Sequence, residues 1–595
     1  MRAVPVTNAV DTPATGIARW VPGIALVRNY QRAWLRSDLV AAVILTALLV
    51  PQGMAYAELA GLPAVTGLYT TVTALFAYAV FGPSRILVLG PDSSLAPLIA
   101  AILAPLVIGD STAEAVALAG MLAVLAGVIE VSAGLLRLGT ITDLLSMPVR
   151  VGYLNGIAVI VLMSQLPKLF GFSTDGDGFI EDVGAFLEAI ADGETVVASL
   201  ALGVAAIVIM LAGRRFVPQV PWVLIAVVAS IAIVALLDLD QEGVAVVGAL
   251  PAGFPTPAFP SVAWEDLGPL IAGAFAIAIV SFADTAALSR SFSAKLGDKV
   301  DQNQEAVGLG AANIAAGFFQ GFPMSASSSR TVVAESVGSK SQLTGVFSAV
   351  AIIFLLVAAN ELLADLPSSV LAAIVIVASF ALFDVKTMWW LLRVRRTDFA
   401  ASVIAMLGVV FVGVLEGLGI AIGVSVVVFV WKRWRPHWAV LGRVTGRKGY
   451  HDVGRHPEAY RVPGLLLFRF DSPLFFASAP YFEETLLDAI DATPGAVARV
   501  VIAAEPMTDI DSTGAETLGT ILDELETREI QFSFAELKGP VKDRLRKYGL
   551  YERIGDEFFY STLGSAVMAY ADETGIPPRA MVDDLEELEP GEPDP

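Results

Sequence analysis

Cysteine is absent from all 595 residues, which excludes disulfides, thiolate nucleophiles and cysteine-held metals. Histidine is almost absent: there are 3, and none precedes His437. A histidine proton relay or a histidine-held zinc is therefore excluded from everything before that position. Charge is scarce as well. Only 16% of residues are Asp, Glu, Lys or Arg, against roughly a quarter in a soluble protein. Positive charge is the scarcer sign, and the formal net charge of −21 argues against nucleic-acid partners. No metal cluster, nucleophile triad or phosphate-binding glycine loop rises above chance, so neither an enzyme nor a cofactor is expected. Residues 1–38 lack the apolar core and cleavage pattern of a signal peptide.

What is abundant is apolar surface. Hydrophobic residues make up 55% of the chain, and the mean hydropathy is +0.69. Apolar stretches near the roughly twenty residues needed to span hydrocarbon recur between the charged ends. They predict about fourteen spans: 39–60, 63–81, 86–107, 113–136, 146–170, 195–213, 217–237, 264–292, 305–321, 323–337, 343–364, 367–384, 398–415 and 417–434. Lys and Arg fall in alternate connections, as at Arg85, Arg137, Arg214, Arg290, Lys299, Lys340 and Arg395, with Lys168 the clearest exception. The connections 171–194 and 238–263 contain neither residue. That asymmetry predicts a multi-pass protein of the cell membrane with both termini cytoplasmic.

The pattern changes after Pro436. Leu465–Phe470, Val500–Ala504, Ile530–Ala535 and a short run near 558–561 read as strands. Amphipathic patterns at 480–491, 515–527, 539–547 and 563–572 read as helices. Strands alternating with helices predict a small α/β domain. The expected organisation is a cytoplasmic N-terminal segment 1–38, a membrane domain 39–434, a linker 435–460, the α/β domain 461–573 and an acidic tail 574–595. The tail is expected to be disordered, since residues 571–595 hold nine acids against Arg579 alone.

Two apolar runs are broken by proline followed by serines: Gly90-Pro91-Asp92-Ser93-Ser94-Leu95-Ala96-Pro97 and Phe322-Pro323-Met324-Ser325-Ala326-Ser327-Ser328-Ser329-Arg330. Each reads as a short helix starting partway through the bilayer. Such a start aims unpaired N–H groups and about half a positive charge into a dry interior. Two of them facing each other would attract an anion, and Arg330 adds a full charge. The breaks lie seven spans apart, so the two halves would have inverted topology, an arrangement found in secondary transporters.

Pro51-Gln52-Gly53-Met54-Ala55-Tyr56-Ala57, Ala60-Gly61-Leu62-Pro63, Gly67-Leu68-Tyr69, Phe81-Gly82, Ser84-Arg85, Gly90-Pro91, Ser329-Arg330-Thr331 and Leu418-Gly419-Ile420-Ala421-Ile422-Gly423 resemble the signature of the sulfate permease (SulP) family. Asp511-Ser512-Thr513-Gly514 resembles the diagnostic turn of its cytoplasmic STAS domain. The resemblance implies a seven-plus-seven inverted repeat. A core domain would use spans one to four and eight to eleven, and a gate domain the rest. The anion would sit between the third and tenth half-helices and move by an elevator motion, commonly in a homodimer. Sulfate, bicarbonate, chloride and dicarboxylates are the family's substrates.

The candidate anion-binding residues are Gln52, Tyr56, Asp92, Ser93, Ser327, Ser328, Ser329 and Arg330. Gln52 and Tyr56 lie one helical turn apart and share a face. Asp284, inside the eighth span, is the candidate for ion coupling. A carboxylate beside an anion repels it unless it is protonated or holds a cation. The family position that Asp284 resembles is usually acidic and implicated in coupling. Sodium-coupled members place Thr four residues after this acid, where this chain has Leu288, although Thr285 could supply an oxygen. The expectation is proton-coupled sulfate transport. Bicarbonate or dicarboxylate uptake, anion exchange, a passive anion channel and a membrane sensor are the alternatives. In the soluble domain, Thr513-Gly514-Ala515-Glu516 reads as a capping box, and the domain as a possible dock for a cytoplasmic partner.

Overall fold

The computed structural model describes residues 20–107, 111–139, 146–174, 178–217, 220–298 and 300–576. Lys299, the first half of the N-terminal segment and the tail from Pro577 onward lie outside these. The chain divides into two compact units, Met1–Ser425 and Val426–Pro595, with the division falling inside the helix Val414–Trp434, which is taken with the first.

The first unit is helical: α1 (Gly23–Asn29), α2 (Leu35–Leu59), α3 (Ala64–Phe81), β1 (Leu89–Gly90), α4 (Ala96–Leu103), α5 (Thr112–Leu135), α6 (Met147–Phe170), α7 (Phe179–Ala191), α8 (Val197–Phe216), α9 (Trp222–Leu237), α10 (Leu267–Leu296), α11 (Gln302–Phe318), β2 (Ser325–Ala326), α12 (Ser328–Ser336), α13 (Leu343–Ala358), α14 (Ser368–Ser379), α15 (Val385–Val394), α16 (Arg396–Phe411) and α17 (Val414–Trp434). A helix lies on each of the fourteen expected segments. Among the described residues, seven helices are long and apolar enough to cross a membrane, α2, α5, α6 and α10 being four of them. The sequence reading missed the amphipathic helices α7 and α15, which are too short and too polar to register as spans.

Small residues let the helices touch. A Cβ on Gly67 of α3 would fall 1.9 Å from the Gly53 carbonyl oxygen of α2, so the two backbones are in contact there and no larger residue fits. Buried hydroxyls are quieted by their own helices. Thr70, Thr71 and Thr73 donate to the carbonyls of Thr66, Gly67 and Tyr69 at 2.7–2.8 Å, the usual resort of Thr in an apolar helix.

The second unit is a six-stranded sheet of β3 (Trp438–Arg443), β4 (Tyr450–Asp452), β5 (Leu465–Phe470), β6 (Arg499–Ala503), β7 (Gln531–Ala535) and β8 (Phe559–Tyr560), in the order β4-β3-β5-β6-β7-β8. β5 through β8 are parallel, while β3 is antiparallel to both β4 and β5. Its helices are α18 (Ala479–Asp491), α19 (Ser512–Thr527), α20 (Gly539–Lys547), α21 (Leu550–Ile554) and α22 (Leu563–Thr574). Alternation along β5 separates two cores. Leu466, Phe468 and Phe470 pack with Phe482, Leu518 and Leu545 on one face. Leu465 and Leu467 pack with Val567 and Tyr570 of α22 on the other.

Two expectations for this unit are corrected. The segment 435–460, read as a linker, supplies β3 and β4; their short, Gly-interrupted runs hid the strand period. The cap of α19 is Asp511, whose carboxylate accepts from the Gly514 N–H at 2.8 Å. Thr513 lies inside the helix, so the capping-box reading fails.

Candidate functional site

The two Pro-Ser breaks meet. Pro91 and Pro323 donate no backbone hydrogen bond and resist helix, so the chain stays extended at both places. β1 and β2 pair antiparallel, Leu89 opposite Ala326 and Gly90 opposite Ser325. The seam continues on either side: Ser327 N–H donates to the Val88 carbonyl at 3.0 Å, and Val88 N–H to the Thr331 hydroxyl at 3.1 Å. From this seam α4 and α12 start, and neither has a side-chain cap. At α12 the first-turn N–H groups of Ser328, Ser329 and Arg330 remain available to a ligand, whereas at α4 the Ala96 N–H is already given to the Asp92 carbonyl at 3.1 Å and Pro97 has none, which leaves Leu98. The antiparallel meeting of two corresponding breaks is the geometry of an inverted repeat.

Arg330 is fully buried. Its Nη2 donates to the Pro91 carbonyl at 2.5 Å and the Gly90 carbonyl at 3.3 Å, and lies 3.8 Å from Asp92 Oδ1. Its Nε and Nη1 have no partner. Gly90 is required here: a Cβ would stand 2.9 Å from Arg330 Nη1, at a φ of 157°. The other oxygen of Asp92 accepts from the Ser94 N–H at 3.0 Å and the Ser94 hydroxyl at 2.8 Å. That hydroxyl also lies 3.3 Å from Asp284 Oδ2. One serine thus bridges the carboxylates of two elements, α10 and the turn before α4.

The remaining expected residues fall as follows. Gln52 and Tyr56 are buried on α2. Tyr56 senses the charges of Asp92 and Arg330 and lies beside Ser93, and the Gln52 Oε1 has no partner. Ser93 and Ser327 are buried, and the Ser327 and Ser329 hydroxyls sit 3.2 Å apart. Ser328 and Ser329 are exposed, at the open side of α12. Thr285 is committed to the scaffold, because its hydroxyl accepts the Ala326 N–H of β2 at 3.1 Å.

Sequence reasoning missed several neighbours. Ser325 is buried with an unpartnered hydroxyl, and so is Tyr153 of α6. Tyr153 and Arg150, one turn apart on α6, both interact electrostatically with Asp284. An Arg inside an apolar span was the available signal. A second buried acid, Glu130 of α5, accepts from Ser281 at 2.5 Å and Asn313 at 2.8 Å. Asn313 in turn accepts from the Met324 N–H at 2.9 Å, so this carboxylate braces the approach to β2. Glu58 pairs with Lys168 at 3.9 Å, which accounts for the lysine that broke the loop-charge pattern.

Two uncapped helix starts joined by a buried strand pair, with an arginine between them and an apolar bundle around them, define a multi-pass membrane protein with an anion-receptive centre. The comparisons narrow this. The model described as "Sulfate permease family" matches residues 35–405, and that of the STAS domain matches 456–566. A probable sulfate transporter of Mycobacterium tuberculosis is 40% identical over 558 residues, spanning 94% of this chain and 99% of that protein. The murine Solute Carrier 26 family member A9 anion transporter shares the fold with a TM-score of 0.86 at 22% identity, over 96% of this chain and 97% of that one. The transmembrane domain of a cyanobacterial bicarbonate transporter, BicA, gives a TM-score of 0.57 at 22% identity, over 67% of this chain and 98% of that one. The chain belongs to the sulfate permease family of anion transporters, not to an enzyme family, and ends in a STAS domain.

Proposed function

We propose that this protein is a secondary active transporter that takes up sulfate together with protons. One observation carries the reading: the buried Arg330 leaves two N–H donors unpartnered between two uncapped helix starts. Buried donors without acceptors are costly, and an oxyanion supplies the missing acceptors. Ser93 and Ser327 stand at the same two starts, and the Ser325 hydroxyl is a further unpartnered group. The relatives named sulfate transporters support the choice of anion.

Proton coupling follows from the acids. Asp92 and Asp284 share the Ser94 hydroxyl, so a dianion arriving beside them meets two carboxylates. Protonation of Asp284 during loading removes that repulsion. Thr285 gives its oxygen to the Ala326 N–H, which favours a proton over sodium as the coupling ion. The carrier moves its core bundle against its gate bundle, as a homodimer in the cell membrane with both termini cytoplasmic.

The test is uptake into proteoliposomes. Labelled sulfate should accumulate under an inward proton gradient, independently of sodium, and not in Arg330→Ala. Uptake that needs sodium and ignores pH would sink the coupling assignment. The structural likeness to a bicarbonate transporter makes bicarbonate the second reading. Competition by unlabelled bicarbonate, chloride and succinate separates it from sulfate, dicarboxylate uptake and anion exchange. Charge movement far above one anion per cycle would mark a passive channel.

A further inference from the structure

The STAS unit carries a basic face that transport does not use. Residues 443–461 hold five Lys or Arg against two acids, in a chain whose net charge is −21. Two of the protein's 3 histidines, His451 and His456, lie in the same stretch, with their rings 5.7 Å apart. The fold gathers these residues. β3 and β4 form a hairpin, and Arg443 bridges to Tyr460 through a pair of backbone hydrogen bonds of 2.9 and 2.7 Å. Arg447 and Lys448 in the hairpin turn, Arg455 just after β4 and Arg461 just after Tyr460 are all exposed. Both acids are already engaged. Asp452 accepts the Gly454 N–H at 2.7 Å, and Glu458 pairs with His456 at 3.0 Å. Lys448, Arg455 and Arg461 have no acidic partner among the described residues.

The chain itself brings the complementary charge to this edge. Helix α22 lies on the sheet face that includes Ala439 and Leu441 of β3, and its Tyr570 hydroxyl donates to the Pro463 carbonyl at 3.2 Å. Ile576, the last described residue, packs against the same cluster as Tyr450 of β4 and Val462. Val462 is the immediate neighbour of Arg461. Nineteen residues follow Ile576, with seven acids and Arg579 as the one base. Extended, they reach about 60 Å. A tether this short gives an effective concentration of about millimolar, enough for contacts that are individually weak.

We propose that the acidic segment 577–595 docks intramolecularly on the basic β3–β4 edge of the STAS unit. The neighbouring exit point selects this occupant over an acidic partner from outside, and the composition supports it: Asp583, Asp584, Glu586, Glu587 and Glu589 supply a run of charge against the exposed bases. An edge strand is also a row of unpaired backbone groups, and covering it prevents pairing with other chains.

The absence of cysteine makes the test clean. Thr445→Cys in the hairpin turn and Leu588→Cys in the tail are spin-labelled together in the full-length protein, purified in uncharged detergent. Pulsed dipolar spectroscopy should show a short-distance population that is lost when salt rises from about 0.05 to 1 M, as screening requires. Arg447→Glu combined with Arg455→Glu and Arg461→Glu should abolish that population. Glu586→Lys with Glu587→Lys and Glu589→Lys on that background should restore it. A broad, long-distance distribution indifferent to salt and charge reversal would overturn the proposal. So would a short distance that appears only with vesicles of anionic lipid, or only with RNA, because the bases would then serve another polyanion.

Discussion

Replacing Arg330 by alanine removes a full positive charge from the seam, and the loss can be worked through contact by contact. Two free guanidinium donors would each form a charge-assisted hydrogen bond to sulfate, worth about 1.5–3 kcal/mol apiece. Together that is about 3–6 kcal/mol, or roughly 10²–10⁴-fold in anion affinity. The same change strips Asp92 of a cation 3.8 Å away. Removing one member of a buried pair destabilises the other by about 3–5 kcal/mol, so Arg330→Ala should also melt earlier. The two effects separate in a second variant. Arg330→Ala with Asp92→Asn should recover much of the thermal stability while binding stays lost. Arg330→Lys should bind with intermediate affinity, since a point charge cannot reproduce the planar fork. Equilibrium binding of labelled sulfate to purified protein, alongside its unfolding temperature, reads both. Binding within about threefold of the parent in Arg330→Ala would refute the reasoning, because the donors would then face nothing.

Other expectations are narrower. Gly90→Ala should weaken sulfate binding at least tenfold and also lower the unfolding temperature, since its methyl would displace Arg330 Nη1 from 2.9 Å and a φ of 157° strains any side chain; unchanged affinity would count against that close approach. Thr285→Val strands the buried Ala326 N–H, at a cost of about 1–3 kcal/mol. It should lower the unfolding temperature without changing the response to sodium, and a sodium-specific defect would speak for a cation site instead. In the STAS unit, Arg499 pairs with Glu573 at 2.5 Å and lies against the rings of Phe558 and Tyr570. Arg499→Ala should loosen α22 and speed hydrogen exchange along it several-fold, while β5 and β6 stay protected; equal exchange throughout would place the lock elsewhere.

The membrane unit was legible because a bilayer imposes a coarse length scale, and Pro51, Pro91, Pro323 and the serine runs stand out against it. The centre was half legible. Arg330 and Asp284 announced themselves as charges in apolar runs, and the breaks located the helix starts. Tyr153 and Ser325 did not, since a tyrosine or a serine in a membrane helix is ordinary until its hydroxyl is seen to lack a partner. Thr285 was offered as an oxygen donor because it follows Asp284, and only its contact reveals that the hydroxyl accepts a backbone amide. Glu130, Glu305 and Asp38, all buried, were passed over although an acid in a hydrocarbon-length run is expensive. Each is satisfied by hydroxyls or amides from distant segments, as Asp38 is by Lys340 N–H and Ser341 at 2.7 Å, and such pairings leave no local trace. The α/β domain was readable wherever strands were buried on both faces, as in β5 to β7. It was unreadable at its antiparallel edge.

The short ladder between β1 and β2 restricts how a passenger ion can enter or leave. Prising α4 from α12 would break the bonds joining Leu89 to Ala326, Gly90 to Ser325 and Val88 to Ser327 and Thr331, all in surroundings with little water to replace them. The pocket therefore cannot unzip along its own middle. The seam binds the two half-helices to each other as the staves of a barrel are bound by a hoop.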